Sequence, residues 1–286
     1  MKIKMNLRTA AASTLLPLLF LTNLASAATY TTVDFPGAKY TSLNGGPSPK
    51  GDVVGVYIDA ANKVHGFQLT RKGEFTTIDY PGAVNTQING WVSPQGNIVG
   101  QYVDTSNKTH GFLLQAGSFT TVDYPGATYT TLAGINPEGQ VIGYYCIGAQ
   151  CGVFTDNDGV FATVTIPNGV LTFGATISPS GALVVACSIS GKGHLCLLDD
   201  GETTVVDFPG ALGTSPGAGN PENDVVGAFS DSLFRTHGFI LKQGTYTQLD
   251  VPGATYTYAT GISPEAVVVG QYYDTSGKSH GFIVRP

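Results

Sequence analysis

A five-residue motif, Asp-aromatic-Pro-Gly-Ala, recurs along this chain at near-constant intervals. It stands at Asp34–Ala38, Asp79–Ala83, Asp123–Ala127 and Asp207–Ala211. Asp250–Ala254 repeats it with Val251 in the aromatic place, and Thr165–Gly169 is a worn copy. The first residues of successive copies lie 45, 44, 42, 42 and 43 positions apart. A period near 43 with strand-like content marks a propeller, because one such unit cannot bury both its faces alone and must stack on neighbours.

The second repeat shows the unit most plainly. Thr86–Asn89 starts a strand that ends at the turn Ser93-Pro94-Gln95-Gly96. Asn97–Val103 is a second strand, Asp104–Lys108 a polar turn and His110–Leu114 a third strand. Phe119–Asp123 is the fourth. Short runs rich in β-branched and aromatic residues, punctuated by Gly, Pro and Asn, are strand and hairpin signals. No stretch beyond the first 27 residues shows sustained helical spacing. The expected fold is therefore all-β: a six-bladed β-propeller with four antiparallel strands per blade. Tyr30–Asp34 reads as a fourth strand without its first three, and His280–Val284 as a third strand without its fourth. The N-terminal strand is expected to close the last blade as its outer strand.

Two sets of prolines set the turns. Pro36, Pro81, Pro125, Pro209 and Pro252 precede Gly, and Pro167 precedes Asn168. Pro followed by Gly or Asn suits a type II turn, whose third residue needs positive φ. Pro49, Pro94, Pro137, Pro179, Pro221 and Pro264 mark the turn between first and second strands. Asp156-Asn157-Asp158-Gly159 and Asp199-Asp200-Gly201 read as tight turns between third and fourth strands. The first of these starts like a calcium loop, but no later acid falls at the required spacing.

Residues 1–27 read as a signal peptide. Lys2, Lys4 and Arg8 precede the apolar run Leu15–Leu21, and Ala25-Ser26-Ala27 is a small-residue cleavage site. Residues 28–286 then form a single propeller domain that is secreted, periplasmic or extracellular, with no membrane span. Of 14 Lys+Arg, removal of those three leaves 11 against 20 Asp+Glu, a formal net charge of −9. Such a surface repels phosphate backbones, which argues against nucleic acid as a partner. The four cysteines are expected to pair as Cys146–Cys151 and Cys187–Cys196, each flanking its own hairpin turn. The spacings suit zinc poorly; no metal site and no cofactor is expected.

The run Gly-x-Tyr-x-Asp-x-x-x-Lys-x-His-Gly-Phe, followed by Phe-Thr-x-x-Asp-x-Pro-Gly-Ala, resembles the extracellular HAF repeat family. His65-Gly66-Phe67, His110-Gly111-Phe112, His237-Gly238-Phe239 and His280-Gly281-Phe282 carry the likeness, in a His-Gly-Phe variant. Cys151-Gly152-Val153 and His194-Leu195-Cys196 depart from it. The resemblance implies an exported bacterial protein of propeller-like build and brings no catalytic residues with it.

Candidate site residues follow from the repeat. Thr41, Thr86, Thr130, Thr172, Thr214 and Thr257 open the innermost strands, so their hydroxyls are expected to ring one mouth of the channel. Asp34, Asp79, Asp123, Asp207 and Asp250 precede the Pro-Gly turns, where an Asp accepts the turn's backbone N–H groups. All five histidines, His65, His110, His194, His237 and His280, hold one place in the repeat. A group repeated so often is architecture, with the ring N–H donated to a backbone carbonyl or to the turn aspartates Asp59, Asp104, Asp231 and Asp274. A rim of carboxylates and hydroxyls would also hold a sugar or a hard cation. Trp91, the single tryptophan, is a core residue or a stacking platform for a sugar ring. Gly213-Thr214-Ser215-Pro216-Gly217 matches a nucleophile elbow only literally, because Ser215 falls in an inner strand and Pro216 follows it.

No catalytic residue stands out. The reading is a secreted β-propeller binding or interaction module, more plausibly not an enzyme, and monomeric. Its partner is extracellular polysaccharide or protein, held by several similar weak sites. The alternative is a glycan hydrolase or lyase with its active site at the channel mouth.

Overall fold

The computed structural model describes residues 29–90 and 92–285, without the side chains of 173–175. Residues 1–27, expected to be a signal peptide, and Trp91 lie outside the described residues. Twenty-four strands and no helix follow one another along the described chain. Four sheets have four strands each, and a fifth has eight. The eight-stranded sheet is two four-stranded meanders joined by one parallel bridge, Tyr129 to Thr109. The chain thus forms six antiparallel meanders, numbered here as units one to six. Their inner strands are Tyr40–Gly45, Asn85–Asn89, Tyr129–Ile135, Gly169–Ile177, Gly213–Gly219 and Tyr256–Ile262.

Unit six takes its outer strand from the opposite end of the chain. Thr29–Val33 pairs antiparallel with the strand Ser279–Arg285, in the register Thr29 to Arg285 and Val33 to Gly281. Buried apolar side chains fall into six clusters, each shared by two neighbouring units. One of them joins unit six to unit one, where Leu43 and Phe67 pack with Val269 and Ile283. The backbones also approach closely there: a Cβ on Gly261 would lie 2.2 Å from the Gly46 amide nitrogen.

The turns have the chemistry their residues dictate. Ala38 N–H donates to Phe35 O at 3.1 Å across Pro36-Gly37, with Gly37 at φ 76°. Asn168 keeps the same left-handed conformation, φ 57°, in the worn copy. Gly51 N–H donates to Ser48 O at 2.8 Å, closing the turn at Pro49. The acidic pairs at Asp156–Gly159 and Asp199–Gly201 are hairpin turns, with Asp158 and Asp200 at φ 51° and 45°. Both disulfides close: Cys146–Cys151 and Cys187–Cys196. The first links cross-strand partners, and the second lies in the buried cluster between units three and four.

Candidate functional site

The repeated histidines and aspartates form a scaffold at the loop end of every unit but the third. His65 Nδ1 lies 2.8 Å from Asp79 Oδ2, and its Nε2 lies 3.4 Å from Asp59 Oδ2. His110 stands in the same way between Asp123 and Asp104, His237 between Asp250 and Asp231, and His280 between Asp34 and Asp274. His194 meets Asp207 at 2.7 Å, while its upstream turn, Ser190-Gly191, carries no aspartate. The motif aspartate therefore belongs to the histidine of the preceding strand, and the turn that follows is served by another group. That group is the threonine. Thr41 Oγ1 accepts the Phe35 N–H at 3.0 Å, and Thr86, Thr130, Thr214 and Thr257 do the same for Tyr80, Tyr124, Phe208 and Val251. Those five threonines are at most 5% exposed. A buried backbone donor needs a partner, and the hydroxyl supplies it. Thr172 is half-buried.

The aromatic residue of the motif has its own task. Phe35 stacks on Tyr57, which stacks on His65; Tyr80, Tyr102 and His110 repeat the column. The motif thus carries an aromatic side chain from one unit into the next. The carboxylates of the second-to-third-strand turns are tightly held. Asp104 is lowered to about 2, first by the Lys108 amide and then by the Ser106 hydroxyl. Asp59, Asp231 and Asp274 are lowered as well, the first two chiefly by the Lys63 and Arg235 amides and the third chiefly by the Ser276 hydroxyl.

None of these residues lines the central cavity. That cavity measures about 510 Å³, and every unit contributes to it. The inner strands supply Asn44, Gln87, Asn89, Thr131, Thr176, Pro216, Tyr258 and Thr260, and the second strands add Gln101 and Tyr144. Among the described residues the wall holds no Asp, Glu, Lys, Arg or His. Its amides and hydroxyls also tie neighbouring units together. Asn44 Nδ2 donates to Ile88 O at 2.9 Å, Asn89 Nδ2 to Leu132 O at 3.1 Å and Thr260 Oγ1 to Leu43 O at 2.7 Å. Tyr129 O–H donates to Gln101 Oε1 at 3.0 Å, and Tyr258 O–H to Pro216 O. Burial pushes the phenols of Tyr129, Tyr144 and Tyr258 up, so they stay neutral donors at ordinary pH. The wall is lopsided. Units two and three present Gln87, Asn89, Gln101, Tyr129 and Tyr144, whereas unit five presents only Pro216, Gly217 and Ala218.

Glycoside hydrolysis uses two carboxyl groups flanking the bond, and this wall has none. Carboxylates gather elsewhere, at the groove between units four and five, where Asp199, Asp200 and Glu202 line a space of about 520 Å³. A third cavity, about 160 Å³, lies at the end of the axis opposite the histidines and shares Gly46 and Ala218 with the polar one. Every unit gives it a proline, Pro49, Pro94, Pro137, Pro179, Pro221 and Pro264, and unit one adds Pro47. Among the described residues no group of three or more His, Cys, Asp and Glu is placed to hold a metal ion, and no helix is long and apolar enough to cross a membrane.

The central wall was not picked out by the repeat. A signal for it exists in the alternation of the inner strands, where Ser42 and Asn44 flank Leu43, and Gln87 and Asn89 flank Ile88.

No family model matches the sequence, and no curated protein matches it. Solved structures do. TolB from Acinetobacter baumannii superposes with a TM-score of 0.60 at 13% identity, covering 82% of this chain. This chain spans 65% of that TolB chain. The lectin of Aleuria aurantia, described as a six-bladed β-propeller with a novel fucose recognition mode, gives 0.54 at 14% identity, covering 88% of this chain and 93% of its own. A putative gluconolactonase gives 0.53 at 15% identity, with 91% and 94% covered. At these identities the likeness is one of fold: the chain is all-β, and its structural neighbours are β-propellers.

Proposed function

We propose that this chain is an exported, closed six-bladed propeller of the HAF-type repeat kind. Its role is a binding module that holds a neutral segment of extracellular glycan in the central cavity. The ring is supported by the cluster joining unit six to unit one, by the pairing of Thr29–Val33 with Ser279–Arg285, and by prolines from all six units around one cavity. Export is supported by two disulfides, which persist in oxidising compartments.

The observation that carries the ligand class is the uncharged wall. Sugar hydroxyls are neutral donors and acceptors, and amides, hydroxyls and phenol rings match them without desolvating a charge. An anionic ligand would find no cation there. The same lack of carboxylates weighs against the hydrolase or lyase alternative.

The test is a glycan array on the purified chain, followed by calorimetry on the hits. Asn89→Ala and Tyr129→Phe each remove one polar group from the wall and weaken binding by about tenfold, the worth of one hydrogen bond. Thr86→Val lowers stability and leaves affinity unchanged. A flat array, or binding that survives both wall substitutions, contradicts the reading. Turnover of a bound polysaccharide moves the assignment to the enzyme.

A further inference from the structure

Unit five departs from its siblings at one turn. Between its second and third strands it reads Asp231-Ser232-Leu233-Phe234-Arg235, where units one, two and six end in Asn62-Lys63, Asn107-Lys108 and Gly277-Lys278. The fourth position of this turn is left-handed in all of them: φ is 67° at Asn62, 65° at Asn107, 82° at Gly277 and 60° at Phe234. Asn and Gly tolerate that region; a bulky aromatic is strained in it. Phe234 is also 83% exposed, and Leu233 is 68% exposed. Neither strain nor exposure helps the chain fold.

The tip is nevertheless rigid. Asp231 Oδ1 accepts the N–H groups of Leu233 and Arg235 at 2.8 and 2.9 Å, and its Oδ2 takes Arg235 Nε at 2.7 Å. Its neighbour has changed as well. In unit one, Lys39 Nζ reaches over the turn to Asn62 Oδ1 at 2.9 Å. The corresponding residues of unit five are Leu212, itself 45% exposed, and Phe234. A polar pair has become an apolar patch on a preorganised hairpin.

On the opposite face lies the proline-ringed cavity. In an antiparallel meander, turns between first and second strands sit at the other end from turns between second and third. That cavity is about 160 Å³ and its lining carries no charged side chain. An apolar space of about 150 Å³ takes up benzene, so a single phenyl ring fits. The tip's charges, Asp231 and Arg235, neutralise each other, and the chain is acidic overall. There is no cationic collar of the kind that holds an aromatic tip on an anionic bilayer.

We propose that Phe234 of one copy inserts into the proline-ringed cavity of a second copy. The two surfaces lie on opposite faces, so the contact is head-to-tail and repeats from copy to copy. The patch is small, and association is weak and concentration-dependent. The proposal differs from the monomer expected from the sequence.

Sedimentation velocity on the purified chain tests it. The wild type forms species that grow beyond a dimer as concentration rises. Phe234→Asn, which restores the residue of units one and two, abolishes them and raises the melting temperature by relieving the backbone. Pro221→Lys, at the exposed rim of the cavity, abolishes them too. Mixing the two variants restores a one-to-one pair, because one retains the cavity and the other the tip. A wild type that stays monomeric at millimolar concentration overturns the proposal. So does association that survives Phe234→Asn, or a mixture that stays monomeric.

Discussion

His280 and Asp34 are 246 residues apart in sequence, and their side chains meet at 2.8 Å. In the four other units that carry this histidine it finds its aspartate within 14 residues, as His65 finds Asp79. The leading strand therefore supplies unit six with a pairing that those units make from their own hairpin. Asp34 is 40% exposed, so solvent screens the pair. Asp34→Asn should cost about 1 kcal/mol. A double-mutant cycle with His280→Asn, read by thermal denaturation, should show a coupling of about 0.5 kcal/mol or more. Zero coupling means that the contact is absent in solution.

The four turn aspartates make stability depend on acid. Their folded carboxyls titrate below the unfolded value of about 3.9, Asp104 at about 2. A depressed carboxyl stabilises the fold above its unfolded pKa, and that contribution is lost as pH falls through the folded one. The melting temperature of the wild type should hold down to about pH 5 and drop towards about pH 2. Asp104→Asn should melt lower at neutral pH and lose less across that window. An equal slope in both proteins contradicts the assignment.

Two glycines of one hairpin separate space from backbone freedom. A Cβ on Gly100 would lie 2.1 Å from Gln87 O and 2.9 Å from the Phe112 ring. Phe112 is fully buried, so nothing can give way, and Gly100→Ala should cost about 3 kcal/mol or more. Gly96 has open space around it but sits at φ 88°. Gly96→Ala should cost only about 1–2 kcal/mol of backbone strain. Urea titration of the two variants gives the comparison.

The disulfides should open in order. Cys151 is exposed, whereas Cys187 and Cys196 are buried. Limited dithiothreitol followed by alkylation and peptide mapping should label Cys146 and Cys151 first. Loss of either bridge removes a short-loop constraint of about 2–3 kcal/mol. Simultaneous labelling of all four cysteines would show that reduction follows global unfolding.

Strands, turns and cysteine pairs were legible in the sequence because each rests on local chemistry: Pro-Gly before an inner strand, or Cys146 and Cys151 across a hairpin. The roles of the repeated polar residues were only half legible. Thr41 and Asp34 stand together in sequence near one turn, which suggests that the aspartate serves it. The third-strand histidine competes for the carboxylate, and a buried hydroxyl replaces it at the backbone donor. The cavity wall was least legible. Asn44, Thr131 and Pro216 hold different side chains at related places, so a search for what recurs passes over them. Recurring positions build the units, and the proposed binding surface lies where they differ.

Hydrogen exchange on the leading strand tests the ring most directly. Amides of Thr29–Val33 that pair with Ser279–Arg285 should exchange as slowly as those of the inner strands, because in the proposed closed ring opening them opens the whole ring. Exchange at the rate of a frayed terminus, with the rest of the chain still protected, would contradict the closed ring and the cavity built on it.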